Sequence, residues 1–238
     1  MEDKKIALAL TERFIGYALE INALELVPEG RLLKSGRLSY YFFDSGKFSS
    51  GVAMRKISSE YARIIAENFH EDKKLAFDLM YGPPYKGTIL VSPIAVALNA
   101  LLCGNVHFCS SRKERKNHGE GGLHIGTPIK KGNRVLIIDD VITDGGTKRE
   151  AVDYIRSYGG IPVGLAIAFD RQERGTGKLS AAQEFEREYA IPVCTIATLT
   201  NLISFLEKSI VGSHDAESIA AGVLLQKIRT YREQYEAE

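Results

Sequence analysis

Arg134-Val-Leu-Ile-Ile-Asp-Asp-Val-Ile-Thr-Asp-Gly-Gly-Thr147 joins a strand-forming run, two carboxylates and a glycine-hydroxyl turn. Val135 to Ile138 is continuously apolar and largely β-branched, the composition of a parallel strand covered on both faces. The run stops at Asp139 and Asp140. Successive strand residues point to opposite faces, so these acids are no shared-proton dyad, yet at a strand's carboxyl end both can reach a ligand over the edge. Diol and metal-bound oxygen contacts suit them. From Thr143 to Thr147, glycines let the backbone bend so that N–H groups converge on an anion, and the hydroxyls add donors. The helix expected to begin there adds its dipole. The stretch therefore reads as a ribose-phosphate site on an α/β fold. Neither the Walker nor the dinucleotide glycine fingerprint follows a strand anywhere in the chain.

A second constellation lies upstream at Ser111-Arg-Lys-Glu-Arg-Lys-Asn-His-Gly-Glu-Gly-Gly122. Arg112, Lys113, Arg115 and Lys116 against Glu114 give a local charge of +3 in a chain whose net charge is only +1. His118 adds to it when protonated. Gly119, Gly121 and Gly122 make the segment pliable, which fits a lid that closes over a pyrophosphate and stabilises the charge growing on it as it departs. A solvated basic loop is the plain alternative.

The stretch from Asp139 to Thr147 resembles the signature of the type I phosphoribosyltransferases, and Arg112 to Gly122 resembles the mobile catalytic loop of the orotate phosphoribosyltransferases. Leu33 to Arg37 and Tyr41 to Gly46 are similar to that family's amino-terminal hood, Tyr81 to Gly87 to its pyrophosphate-contacting turn, and Asp170 to Gly175 to the segment whose first arginine meets the orotate carboxylate. The likeness spans roughly Leu24 to Leu206, with all five motifs in the family's order.

The resemblance implies a central parallel sheet flanked by helices, a small hood drawn mainly from about residues 1–50, and a flexible catalytic loop. It implies transfer of the phosphoribosyl group of phosphoribosyl pyrophosphate (PRPP) to orotate. Lys116 would be the leaving-group cation, supported by Arg112, Lys113 and His118. PRPP would also meet Lys34, Tyr85, Lys86, Asp139, Asp140, Val141, Ile142, Thr143, Asp144, Gly145, Gly146 and Thr147. Orotate would be framed by Lys34, Phe42, Phe43, Thr143 and Arg171, although Phe42 and Phe43 alternate faces and one of them belongs to the core. Mg²⁺ would arrive with PRPP near Asp139 and Asp140, with no cage of protein ligands. A homodimer with shared active sites is implied too. The chain departs from the family pattern at Asp144 and Gly146, where the phosphate turn more often reads Thr-Ala-Gly-Thr-Ala. An acid there must point away from a phosphate, and Thr147 can supply the displaced hydroxyl.

Composition fits one α/β domain over residues 1–238, at 45% hydrophobic and 26% charged. With a pI near 7.7 there is no global basic surface for nucleic acid. Cys103, Cys109 and Cys194 lack paired spacing and sit among apolar residues, so they read as buried free thiols. Met-Glu-Asp-Lys-Lys at the amino terminus lacks a secretory apolar region, and no apolar stretch reaches membrane-span length; the expected location is the cytoplasm. Apolar runs predict strands at Leu75–Met80, Val106–Ser110, Val135–Ile138, Val163–Phe169 and Val193–Ile196. Helical spacing predicts helices at Ile89–Leu102, Thr147–Tyr158 and Ala181–Tyr189. Lys34–Phe48 reads as short hood strands over the sheet's carboxyl edge. Ile219, Val223, Leu224, Ile228, Tyr231 and Tyr235 read as the packing face of a carboxyl-terminal helix. Two other readings keep the acids and the turn: a transferase for another base, with different hood and Arg171 contacts, and a PRPP-binding regulator that needs no basic lid.

Overall fold

Val135 to Ile138 form the interior of a sheet strand and are fully buried. Their side chains alternate between two cores: Leu136 and Ile138 join one, Val135 and Ile137 the other. The structure is a computed structural model that describes residues 2–71, 74–116, 122–142, 146–175, 177–210 and 216–237.

The amino-terminal part comprises α1 (Glu2–Glu20), β1 (Leu24–Leu32), β2 (Leu38–Phe43), a 3-10 turn (Ser45–Lys47) and α2 (Gly51–Phe69). Next come β3 (His70–Glu71), β4 (Lys74–Leu75), β5 (Leu79–Gly82), α3 (Lys86–Leu102), β6 (His107–Lys116) and β7 (Gly122–Gly126). The remainder is β8 (Arg134–Ile138), α4 (Gly146–Ser157), β9 (Ile161–Asp170), α5 (Ala181–Tyr189), β10 (Val193–Thr198), α6 (Leu199–Ile210) and α7 (Ala216–Tyr235). The main sheet runs β10-β9-β8-β5-β6-β7. Its pairs are parallel except β6 with β7. Buried residues of α2, α3 and α6, among them Ile57, Tyr61, Leu90, Ile94 and Leu202, cover one face. Ala151, Val152 and Ile155 of α4 and Phe185 of α5 cover the other. This double cover is what a continuous apolar strand requires.

Several boundaries differ from the sequence reading. The run Leu75–Met80 is divided: Lys74–Leu75 pairs antiparallel with His70–Glu71, and the sheet strand starts only at Leu79. Asp78 lies between them and accepts from the backbone N–H and side chain of Arg134 at 2.7 and 2.9 Å, which turns the chain before β5. Of the basic segment, Ser111–Lys116 lie in strand β6, with which β7 pairs antiparallel, and residues 117–121 lie outside the described residues. Helices α1, α2 and α6 go beyond the predicted elements. On α7, Leu224, Leu225, Ile228 and Tyr231 are buried, while Ile219 and Val223 face solvent. Cys109 and Cys194 are buried free thiols as expected; Cys103 is exposed, at the left-handed end of α3. Among the described residues no helix is long and apolar enough to cross a membrane.

The hood is the antiparallel pair β1–β2. Ser39, Tyr41 and Phe43 of β2 point inward, while Leu38, Tyr40 and Phe42 take the outer face. Phe43 stacks on Phe169 near the end of β9 with centroids 5.6 Å apart, and Tyr41 meets the same ring at 6.0 Å. Aromatic contact therefore seats the hood on the sheet's carboxyl edge.

Gly164 of β9 marks the tightest approach of α2 to the sheet, since a Cβ there would lie 2.3 Å from the Phe69 ring. Gly164→Ala is expected to destabilise the protein by about 1–3 kcal/mol through overpacking. A lowered urea midpoint at unchanged m-value would show it; an unmoved midpoint would mean that the ring yields freely.

Candidate active site

β8 delivers its two acids to the carboxyl edge in different surroundings. Asp139 is buried, and its Oδ2 lies 2.6 Å from Nζ of the equally buried Lys148. The Tyr61 hydroxyl donates to its carbonyl at 2.5 Å. Burial raises the pKa of the Asp139 carboxyl, and Lys148 opposes that shift. Asp140 is only half-buried. Its Oδ1 accepts from Val141 N at 2.8 Å and its Oδ2 from Ser45 Oγ at 2.7 Å, so both oxygens are oriented while lone pairs remain free for a ligand. The alternation expected of adjacent strand residues thus becomes a division between an inward, ion-paired acid and an outward one.

Of the other residues expected at the ribose phosphate, Val141 is half-buried and Ile142 buried, so their side chains belong to the protein's interior more than to its surface. Gly146 opens α4 and Thr147 is exposed in its first turn. Thr143, Asp144 and Gly145 lie outside the described residues, as does His118. Lys113 and Lys116 are placed as backbone positions of β6, and their side chains lie outside what is described.

The Tyr81–Gly87 turn is pressed against the end of β8. A Cβ on Gly82 would lie 2.1 Å from Gly87 O, and one on Gly87 would lie 2.5 Å from Ile138 O, so only glycine permits these approaches. The bond between Pro84 and Tyr85 is cis. Tyr85 is largely exposed, and Lys86, first residue of α3, sends Nζ to Asp44 Oδ1 at 2.9 Å. The hood turn therefore touches both the lysine and Asp140.

Arg112 leaves the edge along β6 and donates to the carbonyl of His124 across the hairpin at 3.0 Å. His124 Nδ1 meets the Tyr154 hydroxyl at 3.0 Å, and its ring lies 4.2 Å from that of Tyr158. Tyr81 stacks on Tyr154 at 5.1 Å and its hydroxyl meets Ser111 Oγ. These aromatic contacts fasten the base of the hairpin to α4.

The expected base-framing residues are placed unevenly. Phe43 is core, whereas Phe42 is half-buried beneath the Arg31 guanidinium, 4.6 Å from its centroid. Lys34 stands exposed in the β1–β2 turn, at the opposite end of β2 from Phe43. Arg171 is buried: Nε donates to Glu173 at 2.7 Å and Nη2 to Ser39 Oγ at 2.9 Å, with Tyr41's ring 4.3 Å from Cζ. Although burial disfavours the charge, Tyr41 and Glu173 hold the Arg171 pKa above its ordinary range. Most of the fork expected to be open to a ligand is thus closed on the protein. Only Nη1 lacks a partner among the described residues.

Sequence reasoning missed Ser45, Asp44, Lys148 and Glu173. Lys148 carried a signal, since a lysine in the first turn of a helix opposes the dipole and calls for a nearby anion. Glu173 lies two residues after Arg171, close enough to pair with it. Ser45 had none, because its contact with Asp140 spans 95 residues.

Residues 53–185 match the phosphoribosyl transferase domain. The chain is 45% identical over 202 residues to the orotate phosphoribosyltransferase of Thiobacillus denitrificans, covering 85% of this chain and 87% of the relative. It is 44% identical over 223 residues to the enzyme of that name from Chromobacterium violaceum, covering 93% and 95%. The crystal structure of orotate phosphoribosyltransferase from Francisella tularensis superposes with a TM-score of 0.77 at 27% identity, over 94% of this chain and all of that one. An α/β sheet whose carboxyl edge carries paired acids, a glycine-lined turn and a seated hood agrees with those likenesses, and the chain belongs to the orotate phosphoribosyltransferase family.

Proposed function

We propose that this edge transfers the 5-phosphoribosyl group of PRPP to orotate, giving orotidine 5′-monophosphate and pyrophosphate, as a step of pyrimidine nucleotide synthesis in the cytoplasm. The carrying observation is the 45% identity to an orotate phosphoribosyltransferase across 85% of the chain. A ring nitrogen of orotate forms the new bond at C1 of the ribose as the C1–O bond to pyrophosphate breaks; that electron pair leaves on the pyrophosphate, and the proton of the nitrogen is released to solvent. The whole chain is read as one phosphoribosyltransferase domain.

Roles follow from the surroundings of the described residues and, for the others, from the family's motifs. Asp140, oriented by Ser45 and Val141, takes the ribose diol. Asp139 shapes the turn through Lys148. Backbone groups from Val141 and Ile142 on to Gly146, with the hydroxyls of Thr143 and Thr147, hold the 5′-phosphate. Lys86 and Tyr85 meet the pyrophosphate, while Lys116, Arg112, Lys113 and His118 balance the charge on the departing group. Phe42 and the backbone of Phe43 frame the base beside Thr143, and Nη1 of Arg171, aimed by Glu173, meets its carboxylate. A hard cation fits here, since Asp140 offers a half-exposed carboxylate and PRPP brings the other oxygens. Mg²⁺ bound with PRPP would neutralise pyrophosphate charge.

A homodimer with shared sites belongs to the same reading. Exposed Ile89 and Val96 on α3 and Val52 on α2 supply apolar surface for a second copy. Lys34, remote from its own sheet edge, would then be available to the partner's.

Mixing protein, PRPP and Mg²⁺ with orotate should consume orotate, seen by ultraviolet absorbance, in step with pyrophosphate release. Release only with uracil, adenine or hypoxanthine would refute the base assignment. Lys116→Ala should lower turnover by about 2.7–4 kcal/mol of transition-state stabilisation while PRPP affinity changes little; unchanged turnover removes Lys116 from the mechanism. Heterodimers of Lys116→Ala with Asp140→Asn chains should recover activity, and verified heterodimers without recovery would refute shared sites.

A further inference from the structure

Asp44 follows the base-framing pair Phe42–Phe43 directly, and its carboxylate is held in place by more than the lysine it meets. Oδ1 accepts from Gly46 N at 2.9 Å and from Lys86 Nζ at 2.9 Å, and Asp44 N donates to Ala23 O at 2.7 Å. Ser45, the next residue, ties the turn to Asp140. The ammonium of Lys86 lies so close over Gly46 that a Cβ there would approach it to 2.7 Å. The ion pair joins two elements and is part-exposed, with its carboxylate end oriented by the backbone N–H of Gly46. The hydrogen bond from Lys86 lowers the pKa of the Asp44 carboxyl, so the group is an anion at neutral pH.

We infer that Asp44 is a built-in competitor for the pyrophosphate subsite: its carboxylate holds Lys86 as a phosphate oxygen would, and thereby sets the affinity of that lysine for substrate anions. The inference rests on the reading of Lys86 as a pyrophosphate contact. A carboxylate oxygen hydrogen-bonded to an ammonium presents the same chemistry as a pyrophosphate oxygen in that place. Two outcomes are open to an incoming pyrophosphate. It displaces Asp44 and loses the ion pair, or it binds beside a like charge; both weaken binding. A staple that only fastened hood to sheet would affect stability without opposing the ligand.

The test is a double-mutant cycle on the whole enzyme, using inorganic pyrophosphate and PRPP, each with magnesium, as probes. Asp44→Asn keeps the oxygen that caps Gly46 N but removes the charge, and it should tighten both probes about two- to fivefold, the range of a part-exposed ion pair. The gain should shrink as salt is added. It should vanish in a Lys86→Met background. Asp44→Ser, which also keeps a capping oxygen, provides a second variant should the first fold poorly. Unchanged or weaker binding in the Asp44 variants, or an equal gain without Lys86, overturns the inference. Wild-type turnover of PRPP with orotate separates the cases: if it is present and the Asp44 variants show no gain, only the inference falls; if it is absent and pyrophosphate does not bind, the reading of the site falls and takes the inference with it.

Discussion

The buried ion pair between Asp139 and Lys148 is the contact on which the rest of the site depends. It joins the residue just after β8 to the first turn of α4, and so holds the two ends of the segment between them together at 2.6 Å. Both groups are almost wholly removed from water, which costs each of them several kcal/mol of hydration. Neither is tolerable alone. The pair therefore contributes definition more than net stability: with Asp139 turned inward, the alternation of the strand leaves Asp140 turned outward. One acid anchors, and the other is turned toward the proposed ligand side.

Asp140 is in turn the point where hood and sheet meet. Ser45 reaches it from one side while Phe43 is stacked on Phe169 and Asp44 holds Lys86. Three kinds of contact, apolar, hydrogen-bonded and ionic, thus converge on one short turn after β2. That convergence gives the proposed chemistry a physical basis, because Phe42 and Phe43, Asp140 and Lys86, the residues proposed to meet base, ribose and pyrophosphate, are set by neighbouring segments of chain. Positioning of this kind is what a displacement without a covalent enzyme intermediate requires. Arg171 is bound into a second network with Glu173, Tyr41 and Tyr231, which fixes its orientation and leaves Nη1 without a partner among the described residues.

Much of this was legible in the sequence, for reasons that can be named. Val135 to Ile138 announced a doubly covered strand because burial on both faces leaves no polar position in it, and the two acids announced its carboxyl end. The α5 helix was read to its exact bounds because Ser180 and Gln183 form a capping box before a strongly amphipathic segment. The edge strand β7 was not legible, since Gly122–Gly126 offers only the three alternating residues Leu123, His124 and Ile125 between glycines, too short a run to mark a strand, and pairs with β6. Ile219 and Val223 fit a helical face by spacing yet lie exposed, because periodicity gives the stripe but not how far a neighbour covers it. At the proposed site, motif resemblance singled out the acids and Lys86 but could not separate the surroundings of Asp139 and Asp140. That difference comes from Lys148, Ser45 and Tyr61, two of which lie far away in sequence.

The central claim is this division of labour between adjacent acids. It is tested most directly by measuring the dissociation constant of PRPP with Mg²⁺ by calorimetry for Asp139→Asn and Asp140→Asn, alongside urea unfolding of each. The account predicts that Asp140→Asn loses PRPP affinity with stability nearly intact, while Asp139→Asn, which strands the Lys148 charge, loses about 3–5 kcal/mol of stability. Equal stability in the two variants, or PRPP affinity undiminished in Asp140→Asn, would contradict it.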